Sequence, residues 1–337
     1  MTIKLSILDQ SPVFEGETPA DAFRHTVELV QQAERLGYHR FWVSEHHDGF
    51  LAGSSPEVLI AYLIGQTERI RLGSGGIMLQ HYSSYKVAEN FNILATLAPG
   101  RIDLGIGRAP GGLPRSTKAL QKGITEPQTL SEKLEELSHH VNNTLPDTHA
   151  LAGIQASPIP QQPAEIYLLG TSVSSAELAA EQGHAYVFAQ FINSDPVVAE
   201  EALTLYRERF NSATGNKPRA IIALSVIVSD TDEEAALLAT DMKNVRITLA
   251  DGKTLNLGTV AQAEEFGKQS GQEYTITERD AEVTKGSKET VRRRLLEIQQ
   301  QYGVDEFIVT TAVKDFGLRL RSYELLSEAF SELSVGS

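Results

Sequence analysis

Four short stretches of this sequence carry groups that could do chemistry. Glu45-His46-His47-Asp48 sets two adjacent imidazoles directly after an apolar run. Successive residues of an extended chain point to opposite faces, so His46 and His47 are poorly placed to grip one metal ion together. One of them is expected to face an active-site mouth. Imidazole there suits acid/base work near neutral pH, or a hydrogen bond to a ring ligand. A histidine satisfied by a neighbouring loop is the plainer alternative for either.

Gly73-Ser74-Gly75-Gly76-Ile77 places glycines inside an apolar, strand-like run. Glycine weakens a strand interior, and it marks a bulge or the close approach of a ligand or another backbone. A flat ring lying against this stretch would need side chains to be absent; simple packing is the other reason for them. Gly105-Ile106-Gly107-Arg108-Ala109-Pro110-Gly111-Gly112 is superficially a dinucleotide fingerprint. Pro110 takes the third glycine's place and no clean helix opens there, so that reading fails. What remains is Arg108, whose guanidinium can hold a phosphate through two parallel hydrogen bonds or serve a surface ion pair. Gly170-Thr171-Ser172-Val173-Ser174-Ser175 brings hydroxyls and free N–H groups to a helix start, a ready anion site. Ser174-x-x-Glu177 there also reads as a capping box.

These stretches fall at the ends of apolar runs that must position them. Eight β-rich runs are expected at 4–8, 40–44, 70–77, 101–107, 165–170, 185–189, 219–229 and 306–311. Several are continuously apolar, as parallel strands buried on both faces are. Amphipathic helices are expected at 20–36, 56–67, 85–97, 130–142, 174–182, 196–211 and 315–330. Gly37 supplies a stop for the first, and Pro56 follows Ser54-Ser55 at the start of the second. An open doubly wound sheet has the same alternation, but its eightfold repetition favours an α/β (β/α)8 TIM barrel. Sequential winding would make strands four and five neighbours. Arg108 and the helix start at Ser172–Ser175 would then form a phosphate clamp on the C-terminal face.

Two segments break the rhythm. Residues 111–128 read as a long polar loop. Residues 230–285 read as an insertion after strand seven, helical in pattern, with helices at 233–241 and 260–269. The expected organisation is one barrel domain over 1–337 with that insertion. Such segments on a barrel's C-terminal face are where lids and specificity reside.

The bulk properties narrow the chemistry. The 337-residue chain has a formal net charge of -14, which argues against nucleic acid or an anionic membrane as principal partner. Without cysteine, disulfides, thiolate metal sites and thiol nucleophiles are excluded, and no metal site is expected. No apolar stretch approaches the roughly 20 residues of a membrane span, and the first residues lack a signal peptide's apolar region. A cytoplasmic location is the expectation.

With these residues placed, the chain resembles the bacterial-luciferase-like, flavin-dependent monooxygenase superfamily, and within it the luciferase-like oxidoreductases. The likeness runs through LGYHRFWVSEHH, LGSGGIML, KVAENFNILATLAPGRIDLGIGRAPGG, GTSVSSAELAAEQG and the long C-terminal run from GSKETVRRRLLEIQQQYG. It implies a (β/α)8 barrel, usually a homodimer, binding reduced FMN or, in some branches, the deazaflavin F420. By the resemblance, Gly75-Gly76 match a non-proline cis peptide behind the isoalloxazine ring. Arg108 matches the phosphate-binding arginine, Ser172 and Ser175 the phosphate loop and helix start, and His46 the active-site histidine. Gly107 stands where luciferase has a reactive cysteine, and Thr171 where it has a carboxylate. The first departure argues against aldehyde bioluminescence and leaves flavin oxygenation open. The implied activity is oxygenation of a small organic substrate with O2, the reduced FMN coming from a separate flavin reductase. F420-dependent hydride transfer and non-catalytic flavin binding are the alternatives.

Overall fold

The structure, a computed structural model, describes residues 3–331. Strand β1 (Lys4–Asp9) leads through α1 (Pro19–Arg35) to β2 (Arg40–Val43), then α2 (Pro56–Ile64) to β3 (Arg71–Met78), and α3 (Ser84–Leu97) to β4 (Ile102–Gly107). Two helices follow, α4 (Pro114–Leu120) and α5 (Leu130–Asn142), before β5 (Glu165–Gly170), α6 (Val173–Glu181), β6 (Ala185–Ala189), α7 (Pro196–Glu208) and β7 (Ala220–Val228). The next segment holds α8 (Asp232–Leu238), β8 (Lys243–Leu249), β9 (Thr254–Leu257), α9 (Val260–Ser270), β10 (Tyr274–Asp280) and β11 (Thr284–Gly286). Helix α10 (Lys288–Tyr302), β12 (Glu306–Thr310) and α11 (Phe316–Ser331) complete the chain's described part.

Strands β1 to β7 pair in sequence, all parallel; β7 pairs β12, and β12 returns to β1. This is the closed (β/α)8 barrel expected from the sequence. Its strands are apolar on both faces because each divides its residues between two cores. Strand β1 illustrates this. Leu5 and Ile7 pack outward against helix residues such as Leu29 and Val30. Leu8 packs inward with Trp42, Tyr167, Val187, Ile221 and Ile308. The helices begin where the sequence supplies caps. Thr18 and Asp21 form a reciprocal capping box on α1, with Pro19 in its first turn.

Two expectations need correction. The 111–128 stretch is not all loop, since Pro114 opens the short helix α4 within it. The 230–285 segment is not simply helical. Strands β8, β9 and β10 form a separate antiparallel sheet in the order β10-β8-β9. The physical reason is the strict alternation in Lys243–Leu249, which buries Val245, Ile247 and Leu249 against Ala263 and Phe266 of α9. The expected helices are there too, but shorter or shifted, as α8 and α9.

At the opposite, N-terminal end of the barrel lies a buried charge cluster that the sequence does not announce. Arg40, wholly buried, reaches Asp103 at 2.6 Å, Glu306 at 2.5 Å and the Tyr167 hydroxyl at 2.7 Å. Trp42 donates its indole N–H to Asp103, and Arg71 pairs with the other oxygen of the same carboxylate. Burial opposes the Arg40 charge, but Asp103 and Glu306 outweigh it and hold the guanidinium firmly protonated. This face locks the barrel, while the other face is left for chemistry.

Candidate active site

The barrel's C-terminal face gathers the residues singled out above. His46 follows β2, its backbone N–H bonded to the carbonyl of Gly53 at 2.8 Å. Its Nε2 lies 3.3 Å from Nε2 of Gln10, which follows β1. Leu8 faces the barrel interior, and Gln10, two residues on, falls on the same side. The carboxamide nitrogen can only donate, so His46 accepts at Nε2 and carries its proton on Nδ1. Burial pushes the His46 pKa below the ordinary imidazole value, against the charges of Asp48 and Glu45, which pull it up. His46 is therefore neutral near pH 7, on the same side of the barrel as Gln10.

His47 turns elsewhere. Its Nε2 is 2.8 Å from Oε1 of Glu45, a fully buried carboxylate. The same Glu45 accepts from the Tyr82 hydroxyl at 2.7 Å and the Met78 backbone N–H at 2.9 Å. Three donors balance one buried charge and fasten the end of β2 to the segment after β3. Burial, then the bond to Glu45, keeps Tyr82 a phenol. The two histidine rings thus turn to different partners. No group of three or more His, Asp or Glu among the described residues could hold a metal ion.

The peptide between Gly75 and Gly76 is cis. A β-carbon on Gly75 would stand 2.7 Å from the Leu8 side chain, and one on Gly76 would stand 2.7 Å from the Gly105 carbonyl oxygen. A β-carbon on Gly105 would itself collide with the Ser74 carbonyl. The register between β3 and β4 shifts here, between Ser74 and Ile77. Close approach of β3 and β4 thus requires Gly76 and Gly105 whatever else lies against them, whereas Gly75 faces the side chains of Leu8 and Trp42.

Arg108 directly follows β4, and β4 pairs with β5, whose end leads to α6. Arg108 is exposed, and among the described residues no carboxylate pairs with it. Ser172 is the N-cap of α6, and Ser175 completes the capping box at its third position. That corrects the expected box, Ser174 with Glu177: Glu177 pairs instead with Arg209. Ser175 is nearly buried; its Oγ donates to the Ser172 carbonyl at 2.7 Å and lies 3.0 Å from the Tyr186 hydroxyl. Burial pushes Tyr186 up to about 12, while its bonds to Ser175 and Ser172 and the charge of Arg108 pull it down. Arg108 therefore acts electrostatically on the group that braces the α6 start. Gln10 and Tyr186 are the participants that sequence reasoning missed. Gln10 could have been found by its parity with Leu8; nothing local marks Tyr186.

The two irregular segments meet over this face. Leu113 packs into the apolar cluster of β8, β10 and α9. The Arg115 N–H donates to Gln269 at 3.0 Å, and Asn256 donates to the Ile192 carbonyl, after β6, at 2.9 Å.

The model of the luciferase-like monooxygenases matches residues 1–306. The chain belongs to the luciferase-like monooxygenase family. As such it has a relative in Bacillus subtilis (strain 168), an N-acetyl-S-alkylcysteine monooxygenase, 45% identical over 97% of this chain and 98% of that one. The crystal structure of apo-MsnO8 is similar at 35% identity and a TM-score of 0.78, covering 98% of each chain. The oxygenating constituent of 3,6-diketocamphane monooxygenase from Pseudomonas putida, a type II Baeyer-Villiger monooxygenase in complex with FMN, shares the fold at 19% identity. Its TM-score is 0.71 and 98% of each chain is covered. The family and the oxidoreductase class expected from the sequence are borne out. No helix among the described residues is long and apolar enough to cross a membrane.

Proposed function

We propose that this luciferase-like monooxygenase uses reduced FMN and O2 to oxygenate a small organic substrate, the reduced flavin arriving from a separate reductase. The observation that carries the reading is exposed Arg108, with no carboxylate partner among the described residues, at the end of the strand that pairs with the one leading into α6. The donor set fits a phosphate monoester. A guanidinium offers a planar fork, and of the first N–H groups of α6 only that of Ser175 is taken up by the cap, leaving those of Val173 and Ser174. Local recognition of this kind is needed in a chain whose net charge of -14 would otherwise repel phosphate.

In this reading Arg108, Ser172 and Ser175 hold the phosphate end, with Ser175 acting by shaping the helix start. Gly75 and Gly76 form the side-chain-free wall for the ring. Bound reduced FMN would supply the electrons for activating O2. His46, neutral and accepting at Nε2, is the group able to take a proton there and return it. The segments at 111–128 and 230–285 exclude water and select the substrate. The chain acts as one barrel domain with the second segment as its insertion, in the cytoplasm. A homodimer is supported by exposed Val58 and Tyr62 on α2 beside exposed Ile93 and Leu97 on α3, an apolar stripe of the kind that seeks a partner.

Anaerobic titration with reduced FMN, FAD and F420, followed by admission of ¹⁸O₂, tests the reading. N-acetylated S-alkylcysteine is the first substrate to assay, because the Bacillus relative carries that name. Preference for FMN and ¹⁸O in the product are expected. Preference for F420 would select hydride transfer instead. Tight FMN binding, with no substrate oxygenated and no response to His46→Ala, would mark a flavin-binding protein.

A further inference from the structure

The backbone that carries Arg108 is fastened at successive residues. Three consecutive carbonyls after it each accept a hydrogen bond from the β2–β3 side of the barrel. Gln80 Nε2 donates to Ala109 at 2.8 Å, His81 Nε2 to Pro110 at 2.8 Å, and the His47 backbone N–H to Gly111 at 2.7 Å. Just beyond, Leu113 is anchored in the apolar cluster of the β8–β10 sheet. The segment is a strap, pinned at successive residues, from whose near end the free Arg108 side chain projects.

His81 is its central pin. It is 4% exposed and its ring has one consistent arrangement of protons. A carbonyl oxygen only accepts, so Nε2 bears the hydrogen; Nδ1 then accepts from Gln121 Nε2 at 3.2 Å. Gln121 caps the C-terminal end of α4. One buried imidazole thus joins the strap at Pro110 to the far end of the helix that follows it. Rigid support of this kind decides whether a long cationic side chain meets its anion in a fixed geometry or searches for it.

We infer that His81 is a positioning residue for Arg108, holding the 109–112 strap so that the guanidinium is preorganised for the flavin's phosphate. The inference rests on the reading that Arg108 binds that phosphate. It assigns His81 no contact with cofactor or substrate.

The test compares reduced FMN with reduced riboflavin, which lacks the phosphate, by anaerobic titration of the full chain. His81→Ala should weaken FMN about tenfold and leave riboflavin unchanged. In an Arg108→Ala background the same substitution should have no further effect on FMN, because contacts acting through one group are not additive. His81→Gln, whose amide can still donate to Pro110, should recover most of the loss. Gln80→Ala, which removes the neighbouring pin at the strap's less buried side, should give a smaller loss of the same phosphate-specific kind.

A merely structural role for His81 would weaken FMN and riboflavin alike, or would add to Arg108→Ala; either result overturns the inference. So would an unchanged FMN affinity in both His81→Ala and Gln80→Ala. If Arg108→Ala itself fails to lower FMN affinity, the phosphate reading falls and the inference with it. If Arg108→Ala weakens FMN and His81→Ala does not, only the inference falls.

Discussion

Gln10 and His46 meet at 3.3 Å across the ends of β1 and β2, with the carboxamide nitrogen directed at Nε2 of the imidazole. An amide donor at that position favours the neutral ring, and burial works in the same direction. His46 should therefore titrate below about 6.5, the ordinary histidine value. Replacing the amide by a carboxylate reverses the electrostatics. Gln10→Glu should raise the His46 pKa by a unit or more, and the acid limb of the pH dependence of kcat/KM should move up with it. NMR titration of the ring measures the first and steady-state oxygenation the second. His46→Ala should lower kcat by about 10²–10⁴-fold if the ring transfers a proton; turnover within twofold of the parent would remove it from the mechanism.

At the barrel's other end, Arg40 holds Asp103 and Glu306 together without exposure to water. Truncating it to methionine keeps the apolar stem and leaves two carboxylates buried. Arg40→Met should cost about 3–5 kcal/mol of unfolding free energy in urea. The loss should shrink when Glu306→Gln is added, since Arg40 is that carboxylate's cationic partner whereas Asp103 keeps Arg71. Folded Arg40→Met should still bind FMN, because the cluster and the proposed site lie at opposite strand ends. A destabilisation under about 1 kcal/mol, well below the usual cost of breaking a buried pair, would show that the cluster tolerates the loss.

The contrast between these two ends shows what was readable beforehand. The eight barrel strands and the residues at their C-terminal ends follow local patterns: continuous apolar runs, glycines, a histidine pair, an arginine at a strand end. The Arg40 cluster has no local pattern. Its partners lie 63 and 266 residues away, and an arginine opening an apolar strand reads as a solvent-facing boundary. At the start of α6, Ser172, Ser174 and Ser175 are equally good caps by type, and only the backbone entry at Ser172 decides among them. The alternation in Lys243–Leu249 is a local signal, but it is short and lies between stretches of helical period that mask it. The pairing of His46 with Gln10 depends on two strand ends meeting, which follows from topology alone.

The stripe on α2 and α3 leads to a different kind of test. Val58 and Tyr62 are 67% and 59% exposed, and Ile93 and Leu97 are 45% and 61% exposed. Each pair is spaced four residues apart, so each lies on one helix face. If these faces meet their copies in a dimer, Tyr62→Asp combined with Leu97→Asp should yield a monomer by light scattering, with its barrel fold intact by circular dichroism. A parent that already runs as a monomer at micromolar concentration would end the proposal.

His184 provides a pH dependence of stability that is independent of the proposed site. It precedes β6 and is 6% exposed, and burial alone pushes its pKa down to about 4. Above about pH 6.5 the ring is neutral in both folded and unfolded chains and contributes no pH dependence. As the pH falls below that value, the unfolded chain takes up the proton first, so unfolding gains and stability drops. The drop continues until the folded ring also titrates near pH 4, and levels off below that. A depression of this size corresponds to about 3 kcal/mol over the whole window. His184→Phe removes the titrating group while retaining a ring in the cavity. Between about pH 7 and pH 4.5 its unfolding free energy should therefore fall by roughly 2 kcal/mol less than the parent's, as measured by urea denaturation. Parallel losses in the two proteins would mean that the buried ring finds a proton acceptor on folding, and that its pKa is not depressed.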